Sequence, residues 1–113
     1  MPFVRTSVGN TGMTTQVIRN GQTYTVPEDG EMKAFMFTCC ATTVWYDNTS
    51  SSASSSITLK VNNTNIDSCS SSVSSSVRGT HQNYNAKVSD TIEVHAGDVI
   101  SAVGTGYIGI SIL

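Results

Sequence analysis

The stretch Ile92-Glu93-Val94-His95-Ala96-Gly97-Asp98-Val99-Ile100-Ser101-Ala102-Val103 constrains the fold more than any other. Ile92 and Val94 alternate with Glu93 and His95, the period of a half-buried strand, and Val99-Ile100 resumes apolar character after a break. Gly97 tolerates a positive φ at that break, and Asp98 can hydrogen-bond its own backbone there. The segment therefore reads as two core strands joined by a hairpin or a tight corner. Tyr24-Thr25-Val26-Pro27-Glu28-Asp29-Gly30 has the same grammar: an alternating strand, a proline-to-glycine turn, then an apolar run from Met32 to Cys40.

A chain of 113 residues is one domain, large enough for a single core. Only 12% of it is charged, and serine and threonine dominate the polar remainder, which suits strands and suits helices badly. The net charge is −2 and the six Lys and Arg are scattered, so there is no footprint for nucleic acid or an anionic membrane. No apolar run is long enough to insert in a bilayer. Met1 to Met13 has no apolar block of signal-peptide kind, and synthesis in the cytosol is the expectation. Three cysteines, Cys39, Cys40 and Cys69, make an odd count. Buried free thiols are preferred over a bridge to Cys69 or a metal site, since His81 and His95 supply no paired ligand spacing.

Taken in order, residues 1–13 read as a flexible N-terminal arm, and 14–113 as one folded domain. Thr14 to Arg19 is a short strand, and Asn20-Gly21 signals a hairpin into Gln22 to Val26. Glu31 to Ala41 is apolar on both faces: Phe35, Phe37 and Cys39 on one, Met32, Ala34, Met36 and Cys40 on the other. A sandwich buries one face of each strand, so the second apolar face is expected to meet another subunit or the chain's own loops. Asn48 to Ser56 is a mobile loop by composition. Ile57 to Val61 alternates, and Asn62-Asn63 turns it into the next strand. Ser68 to Arg78 is strand or loop, and Gly79 to Ala86 is turn-like, with Tyr84 available to pack. The last strand, Tyr107 to Leu113, places Ile108, Ile110 and Ile112 on one face, to be buried in the core or at a symmetric subunit interface.

Eight to ten short strands with such corners predict an all-β antiparallel sandwich. The order of motifs, from Tyr24-Thr25-Val26-Pro27-Glu28-Asp29-Gly30 and the aromatics Phe35 and Phe37, through Ile57-Thr58-Leu59-Lys60-Val61-Asn62-Asn63, to Ile92 through Ile100 and the glycine-bearing terminal strand, resembles a known group. It is similar to the trimeric jelly rolls of the complement globular head and tumour necrosis factor superfamily, and to like modules in bacteriophage virion proteins. The resemblance covers about residues 22 to 113. It implies a jelly-roll topology and a homotrimer, with Phe35, Phe37, Tyr107, Ile108, Ile110 and Ile112 as the candidate subunit interface. It also implies a capsid decoration or a head or tail fibre component, made in the host cytoplasm, residing in the virion and held to other virion proteins through the N-terminal arm.

Chemistry is harder to find. No nucleophile elbow, phosphate loop, metal-ligand pair or dinucleotide fingerprint occurs, so no catalytic residue, metal ligand or cofactor is expected. His95 alternates with core residues and is expected to face solvent. Asp29, Asp47, Asp67, Asp90 and Asp98 sit at turns, where backbone capping accounts for them. Trp45-Tyr46-Asp47-Asn48 combines aromatic and amide groups that can stack on and hydrogen-bond a sugar, which makes a carbohydrate- or receptor-binding module the alternative function, with a cell-surface glycan as partner. A Trp45 packed in the core at a strand end is the plainer reading of the same residues.

Overall fold

A computed structural model describes residues 14–113, and the expected arm 1–13 lies outside the described residues. Among these described residues nine strands follow in order: β1 (Thr14–Arg19), β2 (Thr23–Thr25), β3 (Gly30–Val44), β4 (Ser51–Val61), β5 (Thr64–Ser75), β6 (Gly79–Val88), β7 (Ile92–Val94), β8 (Val99–Gly104) and β9 (Tyr107–Ile112). They form two antiparallel sheets, the expected all-β sandwich. The first is ordered β1-β9-β3-β6, with β7 also paired to β3; the second is ordered β2-β8-β4-β5. The pairing is nested. The β4–β5 hairpin is innermost, β3 pairs with β6 and β7 around it, then β2 with β8, and β1 with β9 outermost.

Both corners recognised in the sequence carry the chain between sheets, and they dock on one another. Val26 N–H donates to Asp98 O at 2.8 Å, and Gly97 N–H donates to Val26 O at 2.7 Å. Ala96 N–H reaches Asp29 Oδ1 at 2.9 Å. Gly97 takes φ 93°, the left-handed region glycine favours. The break after Val94 is thus a corner, not a hairpin. Asn20-Gly21 is likewise a corner, since β1 and β2 lie in different sheets. Gln22 N–H closes that turn on Arg19 O at 2.9 Å, and Asn20 Oδ1 accepts from Gly104 N–H at 2.9 Å. Asn62 and Asn63, at φ 52° and 67°, make the two-residue turn of the one tight hairpin among the described residues, β4–β5.

The core lies between the sheets at one end of the sandwich. Met32, Ala34 and Met36 from β3 and Ile108, Ile110 and Ile112 from β9 meet Ile57, Leu59, Ile100 and Ala102 from the facing sheet. β3 outruns this head. Its 15 residues span roughly 50 Å, yet β9 covers it only from Met32 to Phe37, while β6 continues from Phe35 to Val44. In the other sheet β8 covers β4 only from Ile57 to Val61, while β5 continues to Ser51. The far halves of β3, β4, β5 and β6 thus project as a four-stranded arm. The Ser51–Ser56 tract expected to be a mobile loop is a strand of this arm, and so is Gly79–Ala86, expected to be turn-like.

Candidate functional site

Strand register assembles the outer face of the first sheet. Val17, Gly109, Phe35 and Val88 form one row across β1, β9, β3 and β6, and Arg19, Tyr107, Phe37 and Ala86 form the next. Tyr84 follows, opposite Cys39. The rings make one connected cluster: Phe37 lies 5.4 Å from Tyr107 and 5.8 Å from Tyr84, and Phe35 lies 6.1 Å from Tyr107, centroid to centroid. The Arg19 guanidinium sits 5.5 Å from the Tyr107 ring, capping one end. Phe35, Tyr84, Val17 and Val88 are exposed. Gly109 leaves a dent in the middle of this face, where an added Cβ would have no neighbour within 4 Å.

Phe35, Phe37 and Tyr107, named from sequence, therefore come together. Ile108, Ile110 and Ile112, named with them, do not: they point the other way and are buried inside the head. Period two fixes that three residues share a face without saying which face it is. Tyr84 and Val88 were missed, although Tyr84, Ala86 and Val88 at steps of two carried the strand signal within a segment whose polarity suggested turns.

The arm's interior is unlike the head's. Thr38 donates to Ser55 Oγ at 2.8 Å, Thr42 bonds Ser51, and the Cys40 thiol between them reaches Ala53 O at 3.7 Å. Each step of two along β3 is matched by a step of two back along β4, so hydroxyls couple the two sheets where aliphatic side chains would otherwise pack. On the opposite flank, alternate residues of β6 reach the free edge of β5. Asn83 Nδ2 donates to Ser72 O at 2.7 Å, Asn85 Nδ2 donates to Ser70 O at 3.0 Å, and Lys87 Nζ meets Asp67 Oδ1 at 2.7 Å. Lys87 holds the Asp67 carboxyl below its ordinary pKa, and the Asp67 carboxylate raises that of Lys87. A polar groove of about 750 Å³ borders this flank, lined by Ser54, Ser70, Asn83, Tyr84, Asn85 and Thr105 among others.

At the arm's end lie the β3–β4 turn and the β5–β6 turn, side by side because Val44 pairs with Gly79 and Ser51 with Ser75. Trp45 is 74% exposed and Tyr46 73%; Asp47 and Asn48 are exposed too. This overturns the reading of Trp45 as a core residue, since β3 spends its last buried position on Val44. The turns are held by their own side chains. Asn48 adopts φ 68°, the Thr49 hydroxyl donates to Tyr46 O at 2.5 Å, and Val77 N–H donates to Ser75 Oγ at 3.0 Å. His81 Nε2 bonds Val77 O at 2.7 Å.

Asp98 ties the corner after β7 to the β4–β5 turn. Asp98 accepts from His95 N–H at 2.8 Å and from Asn62 Nδ2 at 3.0 Å, which together lower its pKa. His95 faces solvent, as expected. The cysteines are free, but unevenly placed: Cys69 is buried, which pushes its thiol up, Cys40 is half-buried, and Cys39 is exposed on the outer face, against the expectation of burial. Among the described residues no three His, Cys, Asp or Glu side chains cluster as metal ligands, and no helix is long and apolar enough to cross a membrane. No protein-family model and no curated protein matches the chain.

Proposed function

We propose that this chain is a non-enzymatic structural protein of a bacteriophage virion, a homotrimeric jelly roll that decorates a capsid or forms part of a head or tail fibre. The observation that carries the reading is the aromatic outer face of the first sheet. A monomer would leave Tyr84, Val17 and Val88 more than half exposed and Phe35 39% exposed as one contiguous patch, and full burial of such a side chain is worth about 1.5–3 kcal/mol. The patch is made of short rows with a dent at Gly109 in the middle, a surface that a second copy of the same sheet can cover. The nested pairing of β4–β5, β3–β6, β2–β8 and β1–β9 supports the jelly-roll part of the reading, because winding one long antiparallel ribbon into two sheets produces that order. The number three, the virion and attachment through residues 1–13 come from the resemblance of the motifs.

Light scattering on the native protein tests the assembly. The expected mass is three chains, falling to one in Gly109→Gln, a substitution the isolated chain accommodates because nothing lies within 4 Å of the added Cβ. A wild-type monomer at micromolar concentration overturns the reading. Mass spectrometry of purified virions tests the location, and absence of the chain from the particles overturns that part.

A further inference from the structure

We infer that the end of the arm is a binding site for a neutral saccharide, built from Trp45 and Tyr46 on the β3–β4 turn with Asp47, Asn48 and Arg78 around them. The inference stands on the tip alone and does not depend on the oligomer proposed above. Two adjacent aromatic side chains, each about three-quarters exposed, stand at the point of the molecule farthest along β3 from the core. Exposed aromatics on a frayed loop would carry no argument. Here the turn is fixed: Val44 anchors it, Asn48 takes a left-handed conformation and Thr49 ties back to the Tyr46 carbonyl. Its neighbour is fixed as well, through Ser75 and His81 on Val77. The backbone beneath the rings thus has little ordering entropy left to lose on binding, which favours a small, weakly held ligand.

The size and charge of the tip select the ligand class. An aromatic side chain offers about 150–250 Å² of contact surface, so two rings about three-quarters exposed present roughly 200–400 Å². A stable protein interface needs about 800 Å² from each partner, so the tip is too narrow for one. One acidic group, Asp47, and one basic group, Arg78, leave the tip without net charge, which disfavours a polyanion. A saccharide fits both limits. Its C–H faces stack on the indole and phenol rings, and its vicinal hydroxyls bond the Asp47 carboxylate, the Asn48 amide and the Arg78 guanidinium.

Trp45 is the sole tryptophan of the chain, so intrinsic fluorescence reports on the tip. The experiment applies the full-length protein to a printed array of defined mono- and oligosaccharides, then titrates the best-bound class as its methyl glycosides while following tryptophan emission and acrylamide quenching. Binding to at least one class is expected, with a blue shift and reduced quenching. Trp45→Ala, read on the array, should weaken binding at least tenfold and Tyr46→Ala several-fold, with circular dichroism unchanged. No binding to any saccharide, binding insensitive to both variants, or a Trp45 already shielded from acrylamide in the ligand-free protein would each overturn the inference. A monomer that binds sugar through Trp45 refutes only the assembly reading. A trimer that binds none refutes only this one.

Discussion

If hydroxyl pairs hold the arm together, removing one hydroxyl must cost more when the orphaned partner is deeply buried than when water can reach it. Thr38 and Ser55 provide the case. Thr38 is fully buried, Ser55 is half-buried, and the Thr38 hydroxyl donates to Ser55 Oγ at 2.8 Å. Thr38→Val keeps the shape and leaves the Ser55 hydroxyl free to turn toward solvent. Its cost is one net hydrogen bond, about 1 kcal/mol, and the extra buried methyl offsets much of that. Ser55→Ala instead strands the Thr38 hydroxyl where water has no access, at about 1–3 kcal/mol. The double variant, Thr38→Val with Ser55→Ala, removes both polar groups and returns to near the wild-type value, giving a coupling energy of about 1–4 kcal/mol. Urea unfolding at one fixed protein concentration measures all four corners of the cycle, the concentration being held because the proposed assembly would make the midpoint depend on it. Equal costs for the two single variants, with coupling below about 0.3 kcal/mol, would refute the argument and mean that the arm is held by packing alone.

Gly106 takes φ 116°, and a Cβ there would press on the Phe37 carbonyl oxygen, so Gly106→Ala should cost more than about 2 kcal/mol in a thermal melt while Gly109→Ala stays near neutral; equal melting temperatures would contradict this. Asp67 and Asp98 have folded-state pKa values below those of the unfolded chain, so their stabilisation is complete above the ordinary carboxylate range and is lost as pH falls through about 4 and below. Asp98→Asn should therefore shallow the acid limb of the stability-pH curve, and an unchanged limb would remove Asp98 from the account. Under a thiol-specific reagent at neutral pH, Cys69 should react at least about tenfold more slowly in the native protein than in urea, because burial both shields it and disfavours its thiolate. Comparable rates would mean that the head opens readily.

The sequence carried its information in periods and corners. Alternation in β3, β4 and β9 and the two Gly-bearing corners were readable because each depends on residues next to one another in the chain. The serine tract was misread for a definite reason. Composition says that serines cannot bury apolar surface, but the strand Ser51–Ser56 needs none: its partners are hydroxyls from Thr38 and Thr42 and the β5 backbone, and no local pattern announces them. The same blindness applied to Asn83 and Asn85, whose amides serve the edge of a strand in the other sheet. At the candidate sites, Phe35, Phe37 and Tyr107 were legible as a second apolar face, whereas Ile108, Ile110 and Ile112 required knowing which way β9 faces. Trp45 required knowing that β3 ends one residue earlier, at Val44.

The arm's backbone pairing repeats every two residues, with hydroxyl pairs at Thr38 and Thr42 and the Cys40–Ala53 contact between them. Ladder bonds join β3 to β6 and β4 to β5, hydroxyl pairs join β3 to β4, and amide rungs join β6 to β5. Nothing in that repeat refers to its own length. Adding two residues to each of the four strands would return every side chain to the face it held before and carry the tip about 7 Å outward, with the head's packing untouched. Reach is thus a free variable in this architecture. A lineage could tune how far the aromatic tip stands from the head by gaining or losing serine-rich dipeptides, without solving the folding problem again.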